Sequence, residues 1–326
     1  MTRFPGEHFH SFGTARFPGT FVTRRRPTAA LSVVLVGRGR VGRALARSLR
    51  NPGSSREPTA RSRSVARPAR GRALDVTLLP GRALDSPTAR RALSSADVVW
   101  LAVPDAAIEP TSAAIADLDV IGPRTVVLHS AGALGLDVLA PLASRASLGA
   151  LHPLVSFADA RHPPPLAGTT FVAEGSPASL RAARVLARAC GAHLVVAPGL
   201  DRALYHAAAA LLANGAAALA SVSLSLSERA GLGAPSRVRR ALAGLLASVA
   251  SNVATLGPTR ALTGPIARGD VASVRRHLAH VDRSAPDASG VYRDVGRAIL
   301  AVAELRGLDP ETRDALATML ATPAER

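Results

Sequence analysis

The segment between Leu31 and Leu49 constrains the fold of this chain more than any other. It opens with six β-forming residues, Leu31–Val36. They lead into a glycine-rich turn of sequence Gly37-Arg38-Gly39-Arg40-Val41-Gly42. An apolar run of this length bounded by glycine predicts a buried strand, and the apolar period after the turn predicts a helix. The sequence therefore predicts a strand, a tight turn and a helix in direct succession.

The spacing of the three glycines is typical of a turn that binds a dinucleotide. The first glycine allows the tight turn, the second lets the backbone approach a pyrophosphate, and the third lets the helix pack closely on the strand. The free N–H groups at the helix N-terminus then bind phosphate. We expect all six residues of the turn to contribute to a nicotinamide dinucleotide site. A glycine-rich turn without a ligand is the alternative, and the βα pattern that follows argues against it.

Strand and helix patterns alternate along the next part of the chain. Strands are predicted at Val76–Leu79, Val98–Val103, Thr125–Leu128, Ala150–Leu154, Thr170–Ala173 and His193–Val196. Helical patterns separate several of them, notably at Ser176–Cys190. This alternation predicts an α/β domain over residues 31–198, with a Rossmann-type, mostly parallel sheet covered on both faces. We expect Cys190 to be a buried helix residue.

After Pro198 no strand pattern recurs. Helices are predicted at Asp201–Ala230, Arg237–Thr255, Val271–Val281, Gly290–Arg306 and Pro310–Leu320. We therefore expect an all-helical domain over residues 199–326 that contributes to substrate binding. Because helices rich in alanine pack closely together, we also expect a homodimer formed through this domain.

Two basic segments do not fit the pattern. Residues 1–30 have no regular apolar period and are expected to be a disordered extension. Residues 51–71 are rich in Pro, Ser and Arg, and are expected to be a flexible insertion. Residues 1–75 hold 16 of the 40 basic residues and three of the 23 acids, so the rest of the chain is only mildly basic. Nucleic-acid binding is therefore not expected, and RNA binding by the basic, aromatic segment 1–30 is a minor alternative.

Short apolar runs and the single cysteine exclude several classes of protein. Arg24-Arg25-Arg26 before Leu31–Val36 resembles a twin-arginine signal, but the apolar run is shorter than the roughly 7–15 residues of a signal peptide. No uninterrupted apolar run reaches the roughly 20 residues that span a bilayer. One cysteine cannot form an internal disulfide framework or a multi-cysteine metal site. We expect a cytoplasmic protein without a bound metal or a membrane partner.

The residues after the second strand favour NADP over NAD. An NAD site usually has an acidic residue at the end of this strand, about 20 residues after the glycines. Here Leu79 is followed by Pro80-Gly81-Arg82, with no acid before Asp85. Arg82 would suit the 2′-phosphate of NADP, and NAD remains the alternative. Val103 and Pro104 close the third strand and are also expected to lie beside the cofactor.

Polar residues lie at the carboxyl ends of the fourth and fifth strands of the predicted sheet. Ligands of open α/β sheets bind at the carboxyl ends of the strands. Ser130 is therefore a candidate catalytic residue that could bond the nicotinamide amide or the substrate, although it could instead close the turn at Gly132. His129 and His152 are candidate substrate-binding residues at the same edge.

Taken together, these motifs resemble a known family. The segments that carry the resemblance are Val-Gly-Arg-Gly-Arg-Val-Gly (36–42), Leu-Ala-Val-Pro-Asp (101–105), His-Ser-Ala-Gly-Ala-Leu (129–134), Leu-His-Pro-Leu-Val-Ser-Phe (151–157), Tyr-His-Ala-Ala-Ala (205–209) and Ala-Leu-Thr-Gly-Pro-Ile-Ala-Arg-Gly-Asp (261–270). The family comprises Rossmann-like proteins whose C-terminal half is the domain of unknown function 2520, and the resemblance covers roughly residues 31–326. These proteins look like relatives of pyrroline-carboxylate reductase, ketopantoate reductase and the 6-phosphogluconate dehydrogenase group. The resemblance implies an NADP-binding domain, a helical domain and a substrate held between them, but it names no substrate.

The chain contains no lysine, because all 40 basic residues are arginine. The catalytic lysine of ketopantoate reductase and the β-hydroxyacid dehydrogenases therefore has no counterpart. His206 is the leading candidate for the general acid, since an unperturbed histidine titrates near neutral pH. Asn214 follows two helical turns later, about 12 Å along the helix and roughly 80° around it, and could line the same site. Alternatively, His206 is a packed helix residue.

The segment before the predicted helix at Val271 supplies the last candidates. Arg268 is expected to hold a substrate carboxylate through its planar fork, and Thr263 is a second candidate for substrate binding. Asp270 is expected to cap the helix. The sequence thus predicts an NADP-dependent oxidoreductase acting on a small carbonyl or imine that carries a carboxylate. A non-catalytic NADP-binding sensor or regulatory protein is the alternative, and the missing lysine favours it.

Overall fold

The computed structural model describes residues 30–51 and 73–321. Apart from their border residues, the extension predicted at 1–30 and the insertion predicted at 51–71 lie outside the described residues. The chain divides into two compact units, and the boundary between them in the sequence lies between Ala203 and Leu204.

The first unit is built on a seven-stranded sheet. Its strands are β1 (Leu31–Val36), β2 (Leu74–Leu79), β3 (Val98–Leu101), β4 (Val126–His129), β5 (Ser147–Pro153), β6 (Thr170–Gly175) and β7 (His193–Val196). They lie in the order β2-β1-β3-β4-β5-β6-β7. Every neighbouring pair is parallel except β5 and β6. The predicted α/β class with a mostly parallel sheet is confirmed.

Helices cover both faces of this sheet. They are α1 (Arg40–Arg50), α2 (Pro87–Ser94), α3 (Ile108–Asp117) and α4 (Pro177–Ala189). On one face, Trp100 and its strand neighbours pack against apolar residues of α1 and α4. On the other face, Leu101 packs in a cluster that includes residues of α2 and α3. Because strand side chains alternate between faces, continuous apolar strands are what a sheet covered on both sides requires.

Cys190 is buried at the end of α4, as predicted. Burial raises the pKa of its thiol to about 11, although a hydrogen bond from Ser48 acts in the opposite direction. The thiolate is the reactive form of cysteine, so Cys190 is a packing residue with little nucleophilic character at neutral pH.

The strand order creates a crevice at the carboxyl edge of the sheet. From β1 the chain passes to β2 on one side, and β3 then lies on the other side of β1. Connections that diverge in this way open the crevice in which α/β proteins bind ligands. The pairing register aligns the last residues of β2, β1, β3 and β4, which are Leu79, Val36, Leu101 and His129. The residues that follow these four strands therefore meet along one edge.

The second unit is helical, as predicted. Its helices are α5 (Arg202–Arg229), which begins in the first unit, α6 (Pro235–Leu256), α7 (Pro258–Ala261), α8 (Val271–Ser284), α9 (Pro286–Glu304) and α10 (Pro310–Leu320). Its apolar core includes Ile266, Val274 and Leu300. Asp270 caps α8 by accepting a hydrogen bond from the N–H of Ser273 at 2.9 Å, which confirms its predicted role.

The two longest helices present apolar side chains to solvent. Leu211 and Leu212 of α5 are 78% and 77% exposed. On α6, Val238 is the one buried residue, whereas Leu245 and Leu246 are exposed. Among the described residues, α5 is also the one helix long and apolar enough to cross a membrane by length and composition, with a mean hydropathy of 1.7. Two long apolar helix faces are therefore uncovered in this unit.

Candidate functional site

The first glycine of the turn after β1 occupies a position that only glycine can fill. Gly37 has φ +123°, and a Cβ atom there would lie 2.4 Å from the carbonyl oxygen of Ala102. Its N–H donates to the carbonyl of Leu79 at 2.9 Å. The turn therefore passes tightly between the ends of β2 and β3, as the sequence motif requires.

The third and second glycines are constrained in different ways. A Cβ atom at Gly42 would lie 1.9 Å from the carbonyl oxygen of Gly37, so α1 can approach the turn only with glycine there. A Cβ atom at Gly39 would meet nothing within 4 Å, and its φ of −73° is open to any residue. The fold of this chain therefore does not require glycine at position 39. The space beside it matches the close approach of a pyrophosphate to the backbone.

The N-terminus of α1 is suited to an anion. Gly39 is its N-cap, no side chain caps the helix, and its first turn carries no acidic residue. Helix N-termini present free N–H groups and a partial positive charge. The side chains of Arg38 and Arg40 lie across the surface, where they donate to the carbonyls of Leu78 and Ala158 at 3.4 Å. Val41 is partly buried in the first turn of the helix.

A cavity of about 490 Å³ lies at the end of β2. Arg82 and Asp85 from the loop after β2 and Thr111 of α3 are among the residues that line it. Val103 packs against this loop, because a Cβ atom at Gly81 would lie 2.8 Å from its Cγ1. Pro104 is the N-cap of the short 3₁₀ helix Asp105–Ala107 that follows β3. Four of the predicted cofactor positions, Gly37, Arg82, Val103 and Pro104, thus lie in loops at the same edge of the sheet.

His129 ends β4 and is fully buried. Its Nε2 lies 3.1 Å from the carbonyl oxygen of Gly135, which can only accept, so Nε2 carries the proton. Nδ1 is then an acceptor, and it is buried without a hydrogen-bond partner among the described residues. Burial, together with the positive charge of Arg202, lowers the pKa of His129 to about 4. The ring is therefore neutral at neutral pH.

Other predicted residues lie around His129. The Oγ of Ser130 is buried and has no hydrogen-bond partner within the described chain. His152 is close enough that its charge also lowers the pKa of His129. Neighbouring strands lie about 4.8 Å apart, so the end of β4 is about 10 Å from the end of β1 and its glycine turn. The predicted residues Ser130, His129 and His152 are thus together, at the edge that carries the turn.

The structure adds two residues that sequence analysis missed. Arg202 begins α5 with its side chain 4% exposed, and its Nε donates to Oε2 of Glu174 at 2.9 Å. The other carboxylate oxygen of Glu174 accepts the N–H of Gly199 at 3.1 Å. Nη1 and Nη2 of Arg202 are buried and have no hydrogen-bond partner among residues 30–51 and 73–321. The signal available in the sequence was Glu174, an acid that directly follows the buried residues of β6.

The remaining predicted residues belong to the second unit. His206 is partly buried in the first turns of α5, and Asn214 is exposed two turns later. Thr263 and Arg268 are exposed in the segment between α7 and α8. Thr263 lines a mostly apolar cavity of about 320 Å³ within the helical unit. Ser223 also lines that cavity, as does a hydrogen-bonded pair in which Nδ1 of His277 lies 2.9 Å from the hydroxyl of Tyr292.

Comparison with known proteins finds a family model for each of two segments of the chain. The model of a Rossmann-like domain matches residues 21–153, and that of the domain of unknown function 2520 matches residues 169–299. The chain thus contains a Rossmann-like domain followed by a DUF2520 domain. The resemblance that the sequence motifs indicated is confirmed. No curated protein matches the chain by sequence.

Solved structures with the same fold include several reductases. A protein from Thermotoga maritima is 22% identical with a TM-score of 0.57, over 84% of this chain and 99% of that one. An imine reductase from Streptomyces aurantiacus is 16% identical with a TM-score of 0.53, over 89% of this chain and 99% of that one. Pyrroline carboxylate reductase from Plasmodium falciparum, solved with NADP bound, is 11% identical with a TM-score of 0.53, over 89% of this chain and 98% of that one. At these identities the similarity concerns the fold.

Proposed function

We propose that this protein is an NADP-dependent oxidoreductase that transfers hydride to or from a small carbonyl or imine substrate carrying a carboxylate. The observation that carries the proposal is the glycine turn. Gly37 and Gly42 are required by the packing of the protein, whereas glycine at position 39 is required only if something else approaches the backbone there. The fold of several solved reductases supports the same class of function.

The residues of the turn and the neighbouring loops fit a nicotinamide dinucleotide. Backbone N–H groups at the start of α1 would hold the pyrophosphate, and the cavity lined by Arg82 would take the adenosine end. When bound, the nicotinamide supplies or accepts the hydride. Arg82 favours the 2′-phosphate of NADP, while Asp85 in the same cavity is the residue type that holds the free ribose of NAD. We propose NADP as the preferred cofactor.

Because the chain has no lysine, the proton in this reaction must be donated or accepted by a different side chain. We propose His206 as the general acid, with Asn214 as a polar partner on the same helix. Ser130 is proposed to bond the nicotinamide amide or the substrate. His129 is neutral and fully buried, so we assign it a positioning role beside Ser130.

The test is a fluorescence titration of the purified full-length chain with NADPH and, separately, with NADH. We expect NADPH to bind at micromolar concentration and NADH at least about tenfold more weakly, a difference of about 1.4 kcal/mol. A panel of 2-oxo and imino acids then tests turnover by the loss of NADPH absorbance. If neither cofactor binds below millimolar concentration, the proposed function is wrong.

A non-catalytic NADP-binding sensor is the second candidate. The absence of lysine favours it, because the catalytic lysine of ketopantoate reductase and the β-hydroxyacid dehydrogenases has no counterpart in this chain. The two candidates make different predictions for the same protein sample. Tight NADPH binding without turnover of any substrate in the panel would favour the sensor, whereas turnover that is lost in His206→Phe would favour the enzyme.

We also propose that the protein forms a homodimer through its helical unit. The exposed leucines and valines of α6 recur at helical spacing and form one stripe, Leu245, Leu246, Val249, Val253 and Leu256. Monomeric soluble proteins seldom expose a continuous apolar surface of this kind. A second copy of the same chain is the partner that covers it in this proposal.

A further inference from the structure

The guanidinium of Arg202 is an unusual buried group. Its side chain is 4% exposed, and a guanidinium carries five N–H donors in a fixed plane. The Nε donor is bonded to Glu174, while the donors on Nη1 and Nη2 have no acceptor among the described residues. Leaving a buried donor without an acceptor is unfavourable, and more so for a charged group. Such a group points to an acceptor outside the described residues, such as a bound ligand.

Glu174 holds Arg202 in a way that leaves one edge of the planar guanidinium without a hydrogen bond. Oε1 of Glu174 is engaged by the N–H of Gly199, and Oε2 by Nε of Arg202. The carboxylate therefore makes a single bond to the arginine instead of the paired bonds to Nε and Nη2 that arginine and carboxylate often form. The end formed by Nη1 and Nη2 is left for another acceptor, and its two parallel donors match the two oxygens of a carboxylate.

The surroundings of this guanidinium favour a small anion over a cation. His129 lies close enough to feel the charge of Arg202 and is neutral, so it adds no competing charge. Ser130, which directly follows His129 in the chain, has a buried hydroxyl that lacks a hydrogen-bond partner within the described chain. The negative charge of Asp137 acts to raise the pKa of His129, but its effect is weaker than that of Arg202. In a buried site of low polarity, the attraction between one guanidinium and one carboxylate is stronger than in water.

We propose that Arg202 binds the carboxylate of the substrate end-on through Nη1 and Nη2, that Ser130 donates a further hydrogen bond to it, and that Glu174 is the positioning residue for Arg202. This inference rests on the proposed function, since it names the group that recognises the substrate. It also replaces Arg268, which the sequence favoured for this role. Arg268 is exposed in the second unit, whereas Arg202 is buried with two nitrogen atoms that lack hydrogen-bond partners among the described residues.

Both nitrogen atoms are shielded from solvent in this conformation, so the anion must arrive with a local opening of the chain. Gly199, which bonds Glu174 just before α5, has φ +69° and nothing near the position of a Cβ atom. We assign the opening to this short segment between β7 and α5. A substrate carboxylate that enters there completes the hydrogen bonds of the arginine.

The test uses the full-length protein with pyruvate and phenylpyruvate as probes, and pyruvamide as a probe of similar size without the charge. Binding is measured by the rise in melting temperature and by calorimetry, so it does not depend on turnover. Arg202→Lys keeps the positive charge but loses the two parallel donors of the guanidinium. Arg202→Gln combined with Glu174→Gln removes the positive and the negative charge together. Arg268→Gln is the matched control at the other candidate arginine.

We expect both 2-oxo acids to stabilise the parent protein and Arg268→Gln, and pyruvamide to stabilise neither. Their dissociation constants should rise about tenfold or more in Arg202→Lys and in the double variant. NADPH affinity should stay unchanged in both, which separates a substrate carboxylate from a cofactor phosphate as the anion. The proposal is overturned if neither acid binds the parent protein, if the Arg202 variants bind them as tightly as the parent, or if the variants lose NADPH instead. A separate result, failure of the parent protein to bind NADPH, would contradict the proposed function.

Discussion

At the scale of single residues, burial decides which polar groups of this protein can be functional. His129 lay at a strand end in the sequence and was expected to bind substrate; its ring is fully buried, with Nε2 bonded to Gly135 and Nδ1 without a hydrogen-bond partner among the described residues. Arg202 was one of 40 arginines, and its partner Glu174 was the available sequence signal, yet Arg202 is buried with two nitrogen atoms that lack hydrogen-bond partners among the described residues. Burial depends on residues distant in sequence, so no local pattern reveals it.

The low pKa of His129 predicts a dependence of stability on pH. The pKa is about 4 in the folded chain and 6.5 for the ordinary group, so below pH 6.5 the unfolded chain takes up the proton first. The free energy of unfolding should therefore fall as the pH drops from about 6.5 towards 4. The loss between pH 7.5 and pH 5 should be about 2 kcal/mol from this group alone.

Urea unfolding of the full-length protein at pH 7.5 and pH 5, followed for the unit that contains His129, measures this change in the free energy of unfolding. His129→Gln is the comparison, because its amide can still donate to the carbonyl of Gly135 but does not titrate. We expect the variant to lose about 2 kcal/mol less than the parent between the two pH values. An equal loss in both proteins would show that His129 is not held neutral by its surroundings.

At the scale of secondary-structure elements, the glycine turn sets how α1 meets the sheet. The approach of α1 to the turn requires glycine at position 42, whereas position 39 is open. We therefore expect Gly42→Ala to lower the free energy of unfolding by about 3 kcal/mol, since overpacking against rigid backbone costs at least 1–3 kcal/mol. Gly39→Ala should change it by less than about 0.5 kcal/mol. Denaturant unfolding of the two variants measures the difference, and similar losses in both would contradict the packing of the turn.

The exposed stripe on α6 makes the second prediction at this scale. Leu245→Glu places a charge in the proposed interface between two copies, so the parent should be a dimer and the variant a monomer at micromolar concentration. Light scattering coupled to size-exclusion chromatography measures both masses. Ser251→Glu, an exposed position of the same helix outside the stripe, is the control that should remain dimeric. A monomeric parent protein would rule out the homodimer.

At the scale of the whole molecule, most of the architecture follows from the sequence because buried parallel strands are nearly continuous apolar runs. The bounds of β1 and β7 agree with the prediction to the residue. The antiparallel pairing of β5 and β6 was not predicted. Their connection, residues 154–169, contains three consecutive prolines and no helix, whereas a parallel crossover usually contains one. The candidate site was predictable only where a motif fixes backbone geometry, as in the turn from Gly37 to Gly42.

The measurement that tests the account most directly is NADPH affinity in Gly39→Ala, with Gly122→Ala as the control. A Cβ atom meets nothing within 4 Å at either position, so both variants should fold like the parent protein. We predict that Gly39→Ala weakens NADPH binding about tenfold or more, while Gly122→Ala leaves it unchanged. If NADPH binds the parent and Gly39→Ala equally well, the glycine turn is not where the dinucleotide lies, and the assignment of the site is wrong.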